Sequence, residues 1–413
     1  MSGYCEFDTR LTPEQQALKE EVRLFAEQVL RPTAVTLDRM NDPQEVIERA
    51  SPLWSAFKSA HAKGYHAALI PVEYGGLGLQ GLSLQLALEG FSWGSADFAG
   101  SLTVTGFPFA YVAASGRKDL IEELVVPFVG DKDARYVGCW AITEPLHGSD
   151  QLMPGTSQFH DARITGQVVA RPDGNHYIIN GEKSVFVSNG TIATHALTYL
   201  TLDPSKGMAG GAVAFIPLDL PGVTKGKPMD KLGQRALNQG GIRFQDVRIP
   251  KRYLLVDSST YETVLEQTLV LGNGAVSAIS TGIAQAAYEQ ALAYTRTRVQ
   301  GGVALCEHQL VQKHLFDMFS KVESARALSR AAMANSATPK PALQYAIAAK
   351  TYCSQVCLEV AHTALQLFGG RGLSREYPIE KLYRDARATL LEDGANDILA
   401  LAGAQRLIRQ ASS

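Results

Sequence analysis

The strongest constraint on the fold is a change of sequence pattern that occurs twice along the 413 residues. From Leu11 to about residue 130, apolar residues recur at helical spacing, and the segment Thr12-Pro13-Glu14-Gln15 has the cap and proline of a helix start. Between residues 136 and 257, short apolar runs are separated by turn-forming residues, which is typical of β-strands. After Val256 the helical spacing returns. The pattern predicts an α+β protein with a helical domain over 1–134, a β domain over 135–257 and a helical domain over 258–413.

Individual elements follow from the same spacing. The predicted strands include 136–142, 177–179, 212–216 and 242–247, and the predicted C-terminal helices include 275–297, 309–337, 341–368 and 396–410.

Composition excludes several classes of partner. With 39 basic and 41 acidic side chains the net charge is −2, so no broad field attracts a polyanion and we expect no nucleic-acid partner. The mean hydropathy of −0.05 predicts no membrane span. The five cysteines are scattered and odd in number, and the polar N-terminal segment lacks the apolar core of a signal peptide, so we expect a cytoplasmic protein. Cys353 and Cys357 would share a helix face without a third ligand; we expect buried small residues and no metal site.

Four segments are candidates for a ligand site, namely 140–150, 177–190, 366–372 and 383–394. A polar loop that follows a strand can face an anionic ligand edge. Each segment alone is a weak signal, since the second can be a plain hairpin and the glycines of the third can simply end a helix.

Together these segments resemble the acyl-CoA dehydrogenase family over essentially the whole chain. The most specific run comprises Gln366, Gly369, Gly370, Gly372, Glu376, Lys381 and Asp385, and residues 230–250 and 294–309 contain further family patterns. The resemblance implies an N-terminal helical domain, a middle β-barrel or sandwich and a C-terminal four-helix bundle. It also implies FAD bound between the domains and across a subunit interface of a homotetramer or homodimer.

The resemblance assigns cofactor contacts by position. The flavin ring and pyrophosphate would be lined by Trp140, Ile142, Thr143 and Ser149. Phe186 would stack on the flavin and Ser188 would offer its hydroxyl near flavin N5. Arg298 and Gln300 would reach the FAD of a neighbouring subunit, and the adenosine would be received by Gln366, Gly369 and Gly370.

The catalytic base departs from the family pattern. Asp393, directly before Gly394, is in register with the family's catalytic Glu, and Glu392 stands where an aromatic residue is common. We favour Asp393 as the base, with Glu392 as the alternative, and we expect the two adjacent side chains to point in different directions. In some branches the base lies on the first long C-terminal helix; that position is Gly272, which supplies no base.

The resemblance implies α,β-dehydrogenation of an acyl-CoA or acyl-carrier-protein thioester, with electrons passed to an electron-transfer flavoprotein. A carboxylate takes the α-proton while the flavin accepts the β-hydride. Gly272 and Gly301 remove bulk near the acyl and flavin sites, which hints at an unusual acyl group. Two alternatives stay open: a flavin monooxygenase or acyl-carrier-protein oxidase on the same fold, and a flavin-binding subunit without catalysis.

Overall fold

The first part of the chain is helical. The computed structural model describes residue 6 and residues 10–410. The N-terminal α-helices are α1 Pro13–Phe25, α2 Arg31–Asp38, α3 Pro43–Ile47, α4 Pro52–Ala62, α5 Gly81–Gly94, α6 Ala96–Ala114, α7 Lys118–Leu120 and α8 Val126–Gly130. The start of α1 is the predicted one, because Thr12 and Gln15 cap each other's backbone N–H groups.

The middle part is a sheet. Its strands are β1 Gly138–Ala141, β2 Val169–Asp173, β3 His176–Lys183, β4 His195–Thr201, β5 Gly211–Pro217, β6 Val223–Lys225, β7 Ile242–Pro250 and β8 Leu254–Val256. The strand order is β6-β7-β3-β2-β4-β5-β8, and β1 pairs in parallel with β4. The carboxyl ends of β1 and β3 lie close together: just beyond them, the backbone N–H of Ser184 donates to the Thr143 carbonyl at 2.9 Å.

The last part is again helical and is built on one long central helix. Its elements are α9 Tyr261–Thr297, the short hairpin β9 Val299–Gln300 and β10 Val303–Ala304, α10 Gln309–Ser336, α11 Leu343–Phe368, α12 Ile379–Thr389 and α13 Asn396–Gln410. Among the described residues, α9 alone is long and apolar enough to cross a membrane by length and composition. Nearly all of its apolar window is buried inside the protein, as in the core helix of a globular protein.

The N-terminal helices and the C-terminal bundle share one apolar core. Phe91 of α5, Ile283 of α9 and Val360 of α11 belong to the same cluster of buried side chains. Because α5 packs directly on α9, the first and last parts of the chain are held together by burial of apolar surface.

A buried ion cluster joins these helices to the loop between β6 and β7. Lys381 Nζ lies 2.7 Å from Asp97 Oδ2 and 2.5 Å from Asp385 Oδ2. The second oxygen of Asp97 accepts the N–H of Ala236 at 2.8 Å, and the second oxygen of Asp385 accepts the N–H of Gln234 at 2.6 Å. Burial and the neighbouring Asp97 raise the pKa of Asp385, while Lys381 opposes the rise. The cluster therefore fixes the backbone of this loop against α6 and α12.

The predicted order of a helical, a sheet and a helical part is confirmed. The sequence pattern missed β2, β4, β6 and β8, and it placed the start of the first C-terminal helix too late, since α9 begins at Tyr261. Cys353 and Cys357 are fully buried as expected, and the described residues hold no cluster of potential metal ligands. Cys5 lies outside the described residues.

We expect Lys381→Met to lower the free energy of unfolding by about 3–5 kcal/mol, because it leaves two buried carboxylates without their shared cation. Urea unfolding of the purified protein measures the loss. Lys313→Met is the control, since its exposed pair with Asp317 should contribute less than about 1 kcal/mol. Equal losses in the two variants would contradict the structural importance of the buried cluster.

Candidate active site

The two candidate bases lie in the turn between α12 and α13. Asp393 has a φ of 49° and Gly394 a φ of 107°. The left-handed region is costly for a residue with a side chain, so the turn requires support from its surroundings. The backbone N–H of Ala395 supplies part of it by donating to Ser149 Oγ at 2.9 Å.

The carboxylate of Asp393 lies against the backbone of α9. A Cβ atom at Gly272 would come within 2.9 Å of Asp393 Oδ2, so the missing side chain at this position leaves the room that the carboxylate occupies. Burial raises the pKa of Asp393 to about 6, and the positive charge of Lys350 opposes the rise. Gly272, the position in register with the base of some family branches, therefore adjoins the carboxylate of Asp393.

Glu392 has different neighbours. Burial, followed by the charge of Asp393, raises the pKa of Glu392 to about 7. Lys231 and Lys350 counteract this, as does a hydrogen bond with the Gln234 side chain. Glu392 thus interacts with the loop between β6 and β7 while Asp393 borders α9, in agreement with the expectation for adjacent residues.

Two lysines near the carboxylates were not among the predicted site residues. Lys350 in α11 is fully buried, and its pKa is lowered to about 8 by burial, against the charges of Asp393 and Glu392. Lys231 donates to the Leu237 carbonyl at 2.7 Å and to Gln239 Oε1 at 2.9 Å. One signal could have revealed the first of them, since Lys350 is the single charged residue between Lys340 and Glu359 of a helical pattern.

The predicted flavin-lining segment follows β1. Trp140 and Ile142 are buried, and Lys183 Nζ donates to the Ile142 carbonyl at 2.8 Å and to Glu144 Oε1 at 2.7 Å. Both members of this ion pair are almost inaccessible to solvent. The pair fixes the backbone on either side of Thr143, and Ser184 Oγ lies 2.9 Å from Thr143 Oγ1.

Phe186 and Ser188 lie in the loop after β3. The side chain of Phe186 is 56% exposed, which leaves an aromatic face open to a partner. Ser188 Oγ is 3.3 Å from Gln239 Nε2, and its neighbour Asn189 is anchored in α6 through the Ser101 carbonyl at 3.0 Å. The interaction of Gln239 with Lys231 connects this loop to the surroundings of Glu392.

The remaining predicted cofactor residues lie elsewhere in the same chain. Arg298 and Gln300 follow the C-terminal end of α9, where Tyr294 stacks on Phe368 at the end of α11 with 4.0 Å between ring centroids. The exposed residues Gln366, Gly369 and Gly370 are at this end as well. Since Gly272 and Tyr294 are on one helix with a rise of about 1.5 Å per residue, about 33 Å separates this group from the Asp393 turn.

The residues around Thr143 fit a polar aromatic cofactor. The indole N–H of Trp140 is buried without a partner among the described residues. Ser184 donates to Thr143 and Gln239 donates to Ser188, so both hydroxyl groups keep a hydrogen that can be donated to a ligand. These donors suit the heteroatom edge of a flavin, and the open face of Phe186 suits its ring.

The loop that follows Thr143 is held by hydrogen bonds to Asp150. His147 Nδ1 lies 2.7 Å from Asp150 Oδ2, and the N–H of Gly148 donates to Asp150 Oδ1 at 2.7 Å. These contacts give His147 a role in holding the loop that carries Ser149.

Sequence models of the acyl-CoA dehydrogenase N-terminal, middle and C-terminal domains match residues 12–130, 139–247 and 263–408. The chain belongs to the acyl-CoA dehydrogenase family. It is 33% identical to the rat (Rattus norvegicus) short-chain specific acyl-CoA dehydrogenase, mitochondrial, over 95% of this chain and 90% of the relative. Members of the family are flavin-dependent oxidoreductases that use FAD, so the predicted cofactor is confirmed.

Two solved structures share the fold of this chain. Butyryl-CoA dehydrogenase from Megasphaera elsdenii has a TM-score of 0.84 and 29% identity, covering 97% of this chain and 100% of the other. The prolyl acyl carrier protein oxidase AnaB has a TM-score of 0.82 and 26% identity, covering 96% of this chain and 99% of the other. The same fold therefore accommodates a dehydrogenase of a CoA ester and an oxidase of a carrier-bound acyl group.

The raised pKa of Asp393 predicts the sign of a stability effect. The folded protein holds this proton more tightly than the unfolded chain, so the contribution to stability is fully present below about pH 3.8 and is lost as the pH rises through about 6. Asp393→Asn keeps the neutral form at every pH. We expect it to raise the free energy of unfolding above pH 6, on the order of 2 kcal/mol, and to have little effect near pH 4.

Urea unfolding between pH 4 and pH 8 measures this dependence. Asp317→Asn is a suitable control, since Lys313 lowers the pKa of Asp317 and its substitution should slightly destabilise the protein at neutral pH. A destabilising Asp393→Asn at pH 8 would contradict the desolvation of this carboxylate.

Proposed function

We propose that the protein catalyses the FAD-dependent α,β-dehydrogenation of an acyl thioester, with Asp393 as the base. The observation that carries the proposal is the Asp393 carboxylate that lies directly against Gly272, in the turn bonded to Ser149. A base of this kind is poised, because it is largely ionised at neutral pH and still binds a proton better than an exposed aspartate.

The reaction removes two hydrogens from adjacent carbons. The α C–H bond breaks, its proton goes to an oxygen of Asp393, and the electron pair forms the α,β double bond as hydride leaves the β-carbon. Bound FAD supplies the hydride acceptor. The residues that would hold FAD on the catalytic side are Trp140, Ile142, Thr143, Ser149, Phe186 and Ser188.

Asp393 is preferred to Glu392 on the grounds of geometry. An aspartate is about 1.5 Å shorter than a glutamate, and reach is the first requirement of a base. The space left by Gly272 lets the shorter carboxylate lie directly beside α9. Glu392 interacts with Gln234 and Lys231 instead, which supports an electrostatic rather than a proton-abstracting role for it.

Apolar side chains lie on α9 beside this base. Leu271 and Ala275, which flank Gly272 on α9, belong to a cluster with Leu84 and Leu88 of α5. We propose a short or compact acyl chain, because a short-chain specific and a butyryl-CoA dehydrogenase are among the similar proteins.

The partners follow from the family. The substrate is proposed to be an acyl-CoA or acyl-carrier-protein thioester and the acceptor an electron-transfer flavoprotein. A homotetramer or homodimer is supported by the distance between the residues around Arg298 and the Asp393 turn. This distance is about 33 Å along α9, so both cannot serve one cofactor within a single chain. A cytoplasmic location stays a proposal from the sequence.

An oxidase is the second candidate, because AnaB shares the fold over nearly the whole chain. Rapid reaction of the reduced protein with oxygen would favour it over the dehydrogenase. Absence of flavin reduction by any thioester would leave only a binding function.

Anaerobic titration with a panel of acyl-CoA esters tests the proposal through bleaching of the flavin absorbance. We expect butyryl-CoA and other compact esters to bleach it, and Asp393→Ala to slow bleaching by about 10²–10⁴. Glu392→Gln is the matched control, with the loss expected to stay below about tenfold. A greater loss for Glu392→Gln than for Asp393→Ala would assign the base to Glu392.

Gly272→Ala should displace the base, because the new Cβ would lie only 2.9 Å from Asp393 Oδ2. A displacement of about 1 Å can cost about 10²-fold, so we expect the rate of bleaching to fall by 10–100-fold with the flavin still bound. Gly130→Ala is the control, since a Cβ there meets nothing within 4 Å. An unchanged rate in Gly272→Ala would show that the carboxylate needs no such room.

A further inference from the structure

Lys350 is a buried cation held directly under the candidate base. It is fully inaccessible to solvent in the first half of α11, and its Nζ donates to the Gly394 carbonyl and to Asn396 Oδ1, both at 2.7 Å. Gly394 is the residue immediately after Asp393. Burying an ammonium group costs free energy unless its hydrogen bonds are satisfied, and these two oxygens offset part of that cost.

The bonds of Lys350 fasten the turn to α11. Asn396 is itself fixed to the same helix, because its Nδ2 lies 2.9 Å from Ser354 Oγ and 3.3 Å from the Thr351 carbonyl. These contacts surround the left-handed residues Asp393 and Gly394. Since such conformations persist only where the surroundings impose them, Lys350 contributes to the geometry of the base.

The partners of Lys350 are neutral oxygens. Among the described residues its Nζ contacts the Gly394 carbonyl and Asn396 Oδ1 and forms no ion pair, so its charge is not cancelled by a directly contacting carboxylate. The charge nevertheless acts on Asp393 and Glu392. A direct ion pair would occupy an oxygen of the base, whereas a cation tethered to carbonyls stabilises the carboxylate and leaves its oxygens free.

The charged groups around Asp393 come from each neighbouring element. The turn itself contributes Glu392, α11 contributes Lys350, and the loop between β6 and β7 contributes Lys231, which acts on Glu392. On the α9 side, Gly272 and its neighbour Asn273 are not titratable. Lys350 is thus the cation that acts on Asp393 itself.

We propose that Lys350 is a positioning residue for the base: it clamps the Asp393 turn to α11 and holds a positive charge beside the carboxylate without pairing with it. The kinetic part of this inference rests on the proposed function.

Two substitutions separate the clamp from the charge. Lys350→Gln keeps a hydrogen-bond donor and removes the charge, so the acidic limb of the bleaching rate against pH should move up by roughly 1 pH unit. The rate at pH 6 then falls by about fivefold while the rate at pH 9 changes little. Lys350→Met also removes the donor, and its rate should fall at every pH. Lys321→Gln, which removes an exposed cation paired with Glu359 on α11, should leave the profile unchanged.

An acidic limb that stays in place in a folded, FAD-binding Lys350→Gln protein overturns the proposal, as does an equal shift in Lys321→Gln. If both Lys350 variants fail to fold, Asn396→Ala tests the clamp, because it removes one acceptor of Lys350 and keeps the charge. A lower rate at every pH with an unmoved limb supports the clamp, and an unchanged rate contradicts it.

A stability measurement keeps this test independent of the reaction. The stabilisation by Asp393→Asn sets in as the pH rises above about 3.8 and levels off above the pKa of Asp393 in the folded protein, so the pH at which it levels off reports that pKa without any substrate. In the Lys350→Gln background this pH should move up by the same roughly 1 unit. A wild-type protein whose flavin no thioester bleaches refutes the proposed function, whereas an unmoved levelling-off pH refutes the role of Lys350.

Discussion

The arrangement of the site depends on the ion cluster of Lys381 with Asp97 and Asp385. One cation between two buried carboxylates leaves a negative charge in the interior, and the N–H groups of Gln234 and Ala236 stabilise it. The carboxylates accept the backbone N–H groups of the loop, which an apolar contact at this position would leave unpaired. Because hydrogen bonds are directional, they fix the loop in one position against α6 and α12.

The position of this loop determines what surrounds Glu392. Gln234 and Lys231 are on the fixed loop, and both interact with Glu392. Gln239 of the same loop reaches Ser188, so the predicted flavin edge and the acidic turn share one support. The second support is Ser149, whose hydroxyl accepts the N–H of Ala395. The site is therefore composed by all three parts of the chain, and no part contains it alone.

The sequence predicted what depends on periodicity and on family motifs. The helical and β patterns gave the three parts, and the register of Asp393 and Glu392 before Gly394 led to the candidate bases. Contacts between distant residues remained hidden. Gly272 was recognised as a missing base, but its role in leaving room for Asp393 appears only when α9 and the turn are side by side. Lys350 has no motif, and its importance comes from the carbonyl that it reaches 44 residues further along the chain.

A catalytic carboxylate has two requirements that oppose each other. Desolvation makes it a better proton acceptor, yet the same desolvation favours the protonated form, which accepts nothing. A cation in direct contact would restore ionisation and at the same time bind the oxygens that must receive the α-proton. Lys350 avoids this conflict because its hydrogens go to Gly394 and Asn396 while its charge remains beside Asp393. The cost of burying the lysine is offset by hydrogen bonds that also hold the turn in its left-handed conformation, so one side chain provides both the field and the geometry.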